Sequence, residues 1–370
     1  MTRRIIQFGT SRFLQAHVDL FVHQARLAGE EIGPITVVKT TPGQDRAGRV
    51  AALKRGVPFP VRIRGIEGGR IVDELFQVAS VDQAFDAQHE WAGVVRCFAQ
   101  DAKIVVSNVG DRGYERFGDD ALHDFASTAP PRGFSAKLLA LLLARFRQSG
   151  EPLLFLPTEP FSGNGRRLAG LVSALAADTG QSAAFRAWLT ESAIFADTLV
   201  DRIVSESIEP IGAVAEPYAL WAIHNVGFDR PFHHPAMRLV ENLEMYERLK
   251  LHILNLGHTV LADRWMKQRR AADHTVRAIL SDREVFALLM DIYEEEILPG
   301  FAAQGLASEA RRYMNATLER FQNPFLEHRL ADIAQNHEAK LKNRVSAFLD
   351  WMRQRDPGFA APRLSALLGA

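Results

Sequence analysis

Three short runs near the start of the chain narrow the possible folds more than anything else in it. "RIIQF" at Arg4–Phe8 is apolar and closes on Gly9. "SRFLQAHVDLFVHQARLAG" follows with apolar residues at helical spacing until Gly29, and "ITVVK" at Ile35–Lys39 is rich in β-branched residues. Strand, tight turn, helix and strand make a βαβ unit, the smallest piece of a parallel nucleotide-binding sheet. "AKIVVSN" at Ala102–Asn108 and "PLLFLPT" at Pro152–Thr158 read as further buried strands, separated by a helix over "SAKLLALLLARF" at Ser135–Phe146. Ahead of both, after "ITVVK", "FPVRIRGIEGGRIVDELFQVAS" alternates around Gly65, Gly68 and Gly69, which predicts a hairpin inserted at an edge of the sheet.

After "DTLVDRIVSE" at Asp197–Glu206 the β signal fades, and from "EPYALWAIH" at Glu216 onward the text is mostly helical. The expected architecture is therefore an α/β Rossmann-like domain with a β insertion over residues 1–215, followed by an all-α domain over 216–370. Two domains suit 370 residues, because single cores stop growing beyond ~250–300.

Charge and cysteine content remove several function classes. Lys plus Arg equals Asp plus Glu at 44 each, so no overall field draws the chain to nucleic acid or an anionic membrane. The basic residues form no stripe with interleaved aromatics, which disfavours nucleic-acid binding further. The single cysteine, Cys97, rules out an internal disulfide and reads as inert core. The opening "MTRRIIQFGTSRF" is broken by Gln7 and Gly9, unlike a signal peptide. No apolar run approaches the ~20 residues of a membrane helix, so a cytoplasmic location is expected.

The turn "GTSRFLQA" at Gly9–Ala16 could set backbone N–H groups and a helix N-terminus against a pyrophosphate. Only Gly9 matches the three-glycine fingerprint cleanly. Ser11 stands at the second glycine and the small Ala16 at the third, and a plain strand-to-helix turn reads equally well. At the end of the second strand, where an acidic residue often holds the adenosine ribose, the chain has Lys39. Lys39 is either a cation that tolerates a 2′-phosphate or a solvated strand-end lysine.

A second stretch carries more chemistry. "LKLHILNLGHTVL" at Leu249–Leu261 is an apolar run that nevertheless contains Lys250, Asn255 and His258. With ~100° per residue, Asn255 falls about 140° and His258 about 80° from Lys250 on an α-helix, so the three share one side. Lys250 and His258 are about 12 Å apart along the axis, so Gly257 or a bend is needed for them to converge. Zinc is disfavoured: no HExxH and no cysteine pair occurs, His233 and His234 are adjacent in a proline-bracketed loop, and Lys250 would oppose a cation near His252 or His258.

The order Lys250, Asn255, His258 resembles the Lys-x4-Asn-x2-His signature of the mannitol dehydrogenase family, the polyol-specific long-chain dehydrogenases. "IIQFGTSRFLQAHVDLF" is similar to that family's nucleotide loop, "NGRRL" from Asn164 to its Asn-Gly element and "LVDRI" at Leu199–Ile203 to its Val-Asp-Arg block. Within the family the likeness is greatest to the branch interconverting tagaturonate and altronate, on "IRG" at Ile63–Gly65, "VVSN" at Val105–Asn108 and "LKLHILNLGHT". Members commonly carry Gly-Asn where this chain has Ser11-Arg12. Mannitol dehydrogenases place an Asn where it has Pro160.

The resemblance implies an NAD-dependent dehydrogenase, with NADP not excluded, acting on a sugar acid or polyol in the cleft between the domains. Lys250 is implied as acid/base, beside Asn255 and His258, with Asn164, Asp201 and Arg202 near the substrate. Gly9, Thr10, Ser11, Arg12, Phe13, Lys39, Ser107 and Asn108 are implied at the cofactor. Mannitol, fructuronate with mannonate, or another polyol are alternative substrates, and a non-catalytic dinucleotide-binding sensor is the alternative of another class. A monomer or weak homo-oligomer is expected.

Overall fold

The computed structural model describes residues 3–41, 43, 47–125 and 127–369. Up to residue 195 the strands are β1 (Arg3–Phe8), β2 (Ile32–Lys39), β3 (Phe59–Glu67), β4 (Arg70–Val78), β5 (Val81–Asp86), β6 (Ala102–Ser107), β7 (Leu153–Pro157) and β8 (Ala193–Phe195). Six of them form one parallel sheet in the order β5-β2-β1-β6-β7-β8. The near-continuous apolar runs of β2, β6 and β7 are explained by burial on both faces. Ile6, Phe8, Val105 and Phe155 pack with Phe98, Leu138, Leu142 and Val172 from the covering helices Trp91–Asp101, Phe134–Gln148 and Asn164–Asp178. Cys97 belongs to this core, its thiol 3.7 Å from Thr36 Oγ1.

Two expectations need correction. The glycine-punctuated hairpin exists, with Gly68 and Gly69 both at positive φ in its turn as a two-residue connection requires. It does not extend the main sheet. β3 and β4 belong to a separate four-stranded sheet, in the order β10-β11-β3-β4, where β10 is Val204–Ser207 and β11 is Ala213–Ala215. The second correction concerns "EPYALWAIH", which opens no helix: Leu220–His224 is a buried strand, β12. It runs antiparallel to β9 (Thr198–Asp201) and parallel to β13 (Met237–Val240). A short apolar run cannot be told from a buried helical segment by its periodicity.

The chain forms two compact units. One comprises the chain up to Arg62, Glu74–Ala215 and Ala219–Leu243; the other comprises Ile63–Asp73, Glu216–Tyr218 and Glu244 onward. The second unit is helical around a core that includes Ile253, Leu256, Val285, Tyr293, Phe301, Phe321 and Phe348. Within it the hairpin tip is clamped by Glu319, whose carboxylate accepts from Gly68 N at 3.2 Å and Gly69 N at 2.8 Å. At Gly65 an added Cβ would lie 2.6 Å from Pro217 Cδ and 2.9 Å from the Asn323 amide, so only glycine fits. A buried ion pair, Arg320 with Glu216 at 2.8 Å, braces the same region. Among the described residues no helix is long and apolar enough to cross a membrane.

Candidate active site

The C-terminal ends of β1, β6 and β7 are tied into one knot in the first unit. Gly9 leaves β1 with φ +124°, and a Cβ there would lie 2.7 Å from Asn108 O. The turn therefore needs glycine for both its backbone angle and the close approach. Ser11 caps the helix spanning residues 12–27: its Oγ accepts from Leu14 N at 3.2 Å and donates to Asn108 Oδ1 at 3.0 Å. Asn108 Nδ2 in turn donates to Thr158 O and Oγ1, both at 3.2 Å. Thr10 is buried, Arg12 is exposed, and Phe13 stacks on His17 at 4.8 Å. A strand end, a glycine at positive φ and a capped helix start suit a pyrophosphate.

Glu159 organises the neighbouring loop, a role the sequence reading missed. Its buried carboxylate accepts from Val109 N at 2.9 Å, Ser107 Oγ at 3.1 Å and Tyr114 OH at 3.0 Å. Burial raises the Glu159 pKa, partly offset by these donors, while burial and the facing carboxylate push the Tyr114 phenol up. An acid directly after the apolar strand "PLLFLPT" was the available signal.

Lys39 matches neither reading taken from sequence. Its side chain is buried, and Nζ donates to Thr41 O at 2.8 Å, Gly43 O at 2.9 Å and Asp86 Oδ2 at 3.0 Å. The ammonium is used inside the protein and is neither solvated nor open to a 2′-phosphate. Beyond it a cavity of about 480 Å³ is bordered by Thr40, Thr41, Gln88, Arg112 and Lys137. Desolvation lowers the Lys137 pKa to about 8.

Asn164 also differs from its expected place beside a substrate. Its Nδ2 reaches Pro157 O, Glu159 O and Thr198 O, while Oδ1 accepts from Gly165 N and Thr198 N, both at 2.9 Å. Fully buried and spent on backbone, it fastens a helix start to two strand ends. Gly165 permits this, since a Cβ would lie 2.4 Å from Ala196 O. Asp201 is buried at the end of β9, and Arg202 NH1 donates to Ala16 O at 2.6 Å. His234, beside His233 in the proline-bracketed loop, uses both ring nitrogens, toward Gln24 Oε1 and Ala236 N.

In the second unit Lys250 and Asn255 begin and end a π-helical segment, Lys250–Asn255, between the α-helical Glu244–Leu249 and Leu256–Lys267. Wider i→i+5 turns bring residues five apart closer to alignment than an α-helix does, so Asn255 turns back toward Lys250. Outside groups support the widened turn. Tyr293 OH donates to Ile253 O at 2.9 Å, and Asn255 O accepts from Thr259 Oγ1 at 3.0 Å and Arg344 NH1 at 2.9 Å. Gly257 makes room for the tyrosine: a Cβ there would lie 2.0 Å from its hydroxyl.

Lys250 and Asn255 are half-buried, and the Asn255 side-chain amide forms no hydrogen bond with the described residues. His258 is buried, its ring 4.5 Å from Phe321 and 4.7 Å from His328. His252, on the same turn, is a core residue. It stacks on Trp351 at 5.6 Å, and burial holds its pKa down to about 4. The turn thus presents an amine and an unused amide, with an imidazole one turn further on.

The profile of the mannitol dehydrogenase Rossmann domain matches residues 3–233, and that of the mannitol dehydrogenase C-terminal domain matches residues 242–367. The altronate oxidoreductase of Halalkalibacterium halodurans is 28% identical over 398 residues, covering 100% of this chain and 75% of that protein. A Yersinia pestis protein of the same name is 30% identical, covering 99% and 78%. Among solved structures, the Pseudomonas fluorescens mannitol 2-dehydrogenase ternary complex with NAD and D-mannitol matches with a TM-score of 0.74 at 18% identity, over 100% of this chain and 78% of the other. A D-sorbitol dehydrogenase matches with a TM-score of 0.78 at 16% identity, over 94% and 76%. With both parts of the chain matched in order, the protein belongs to the mannitol dehydrogenase family.

Proposed function

We propose that the protein is an NAD(H)-dependent oxidoreductase that interconverts a keto-hexuronate and a hexonate, tagaturonate and altronate first, with Lys250 as the acid/base. The observation that supports this reading is the π-helical segment Lys250–Asn255: its wider turn suits an amine and an unused amide sharing one side, with His258 one turn on. The altronate oxidoreductase name of the relatives supports the choice of substrate.

The nicotinamide, when bound, supplies or accepts the hydride and carries positive charge when oxidised. Lys250 takes the hydroxyl proton during oxidation and returns it to the carbonyl oxygen during reduction, work a lysine can do without a metal. Asn255 donates its amide N–H to the same oxygen without changing protonation. His258 orients the substrate hydroxyls or the lysine. In the first unit, Gly9, Ser11 and Asn108 shape the turn for the pyrophosphate. Because the Lys39 ammonium is spent on Thr41, Gly43 and Asp86, NAD is the proposed cofactor in preference to NADP.

The test is a panel of altronate, mannonate, mannitol and sorbitol with NAD and NADP, followed by the absorbance of the reduced nicotinamide. Turnover is expected with a hexonate and NAD. Cofactor binding without turnover of any substrate would replace this reading with that of a dinucleotide sensor.

A further inference from the structure

Arginine 344 stands out in the charge pattern of the second unit. Several buried or half-buried cations there have acidic partners: Arg320 pairs with Glu216, Arg270 with Asp282 and Arg363 with Glu295. Arg344 and its neighbour one turn earlier, Lys340, have none within ion-pair distance among the described residues, although both are half-buried. Lys340 Nζ donates to Ile333 O at 2.7 Å, and Arg344 NH1 donates to Asn255 O at 2.9 Å and Thr259 Oγ1 at 3.0 Å. One nitrogen of the guanidinium is therefore fixed on the turn that carries Lys250 and Asn255. Among the described residues the rest of the donor fork has no acceptor.

The two cations also act on each other and on the imidazoles nearby. Burial and then the charge of Arg344 lower the Lys340 pKa, and burial lowers that of Arg344. Burial lowers the pKa of His328, opposed by Asp332 and helped by Arg320 and Lys340, and its ring lies edge-on to His258. Holding like charges together in a partly desolvated place is costly unless an anion joins them. A planar carboxylate suits a guanidinium fork best.

We propose that Arg344, with Lys340 beside it, binds the carboxylate of the sugar-acid substrate and so selects hexonates over neutral polyols; this rests on the hexonate reading above. Selectivity measures it, as the ratio of kcat/KM for D-altronate to that for D-altritol, which lacks the carboxylate. Replacing Arg344 by Gln should lower the ratio about 100-fold, mostly through the KM for altronate. Arg344→Lys, which keeps the charge and one donor, should restore part of it.

If R344Q lowers both substrates alike, Arg344 only props the Asn255 carbonyl and the proposal is overturned. An unchanged ratio also overturns it. Calorimetric titration of D-altronate into the NADH-loaded protein separates the two readings. Altronate bound by the unmodified protein and lost in R344Q, without any turnover, would retain Arg344 and remove the proposed reaction. No altronate binding by the unmodified protein would remove the assignment of Arg344.

Discussion

Two of the π-helical segments among the described residues, Gln15–Asp19 in the first unit and Lys250–Asn255 in the second, put polar residues to opposite uses. Gln15–Asp19 turns its polar side chains inward. Gln15 accepts from Gly212 N at 2.8 Å, His17 lies among Phe13, Phe21 and Trp221, and the Asp19 carboxyl is so desolvated that its pKa rises to about 8. Lys250–Asn255 keeps its amine and amide half-buried, while its carbonyls are taken by Tyr293, Thr259 and Arg344. The same local geometry closes a core in one place and leaves an amine and an amide half-buried in the other. A π-turn by itself therefore says little; what its side chains and carbonyls meet decides its use.

The sharpest way to break the contrast is Lys250→Ala. It should cut kcat by about 10²–10⁴-fold while leaving the NADH dissociation constant near that of the unmodified protein. Unchanged kcat would remove the distinction between an open and a closed segment. At Gly9, alanine meets both the positive φ and the Asn108 carbonyl, so G9A should lose about 1–3 kcal/mol of stability and bind NADH more weakly. Thermal melts and fluorescence titration read both effects.

Tyr293→Phe strips the donor from the Ile253 carbonyl. We expect a loss of about 1–2 kcal/mol in denaturant unfolding, together with a fall in kcat if the turn then relaxes toward α-helix. A normal kcat would show that the amine and amide converge without that support.

The smallest effect tests the closed segment. The Asp19 pKa is raised, so the folded state keeps a proton that the unfolded chain releases. Its contribution to stability therefore falls as pH climbs from about 4 to about 8. Asp19→Asn should remove this pH dependence, so its stability relative to the unmodified protein should rise from pH 4 to pH 8 although the amide must still be buried. Unfolding curves at the two pH values that differ by the same amount would contradict the raised pKa.

The parallel sheet was legible because its strands are buried on both faces and so written as apolar runs, and because Gly9 and Gly29 punctuate the first helix. β12 was not, since "LWAI" is too short to show a period. The convergence problem in "LKLHILNLGHTVL" was visible, but a count at 100° per residue has no place for a π-turn. Its cause lies elsewhere in the chain, in Tyr293 and Arg344, 40 and 89 residues from the carbonyls they hold. Asn164 was misjudged for the same reason: Thr198, which both donates to it and accepts from it, is 34 residues away. Residue type signals a polar need, and only the fold shows what meets it.

Gly257 and Tyr293 make room for a longer turn and hold it. A turn closed at i→i+5 holds one residue more than its α-helical counterpart, so it behaves as a tolerated single-residue insertion. Deleting Leu254 would let the helix close in the ordinary way, but every side chain beyond it would rotate by about 100° relative to Lys250. Such a chain would keep its helix but face the wrong way beyond residue 254.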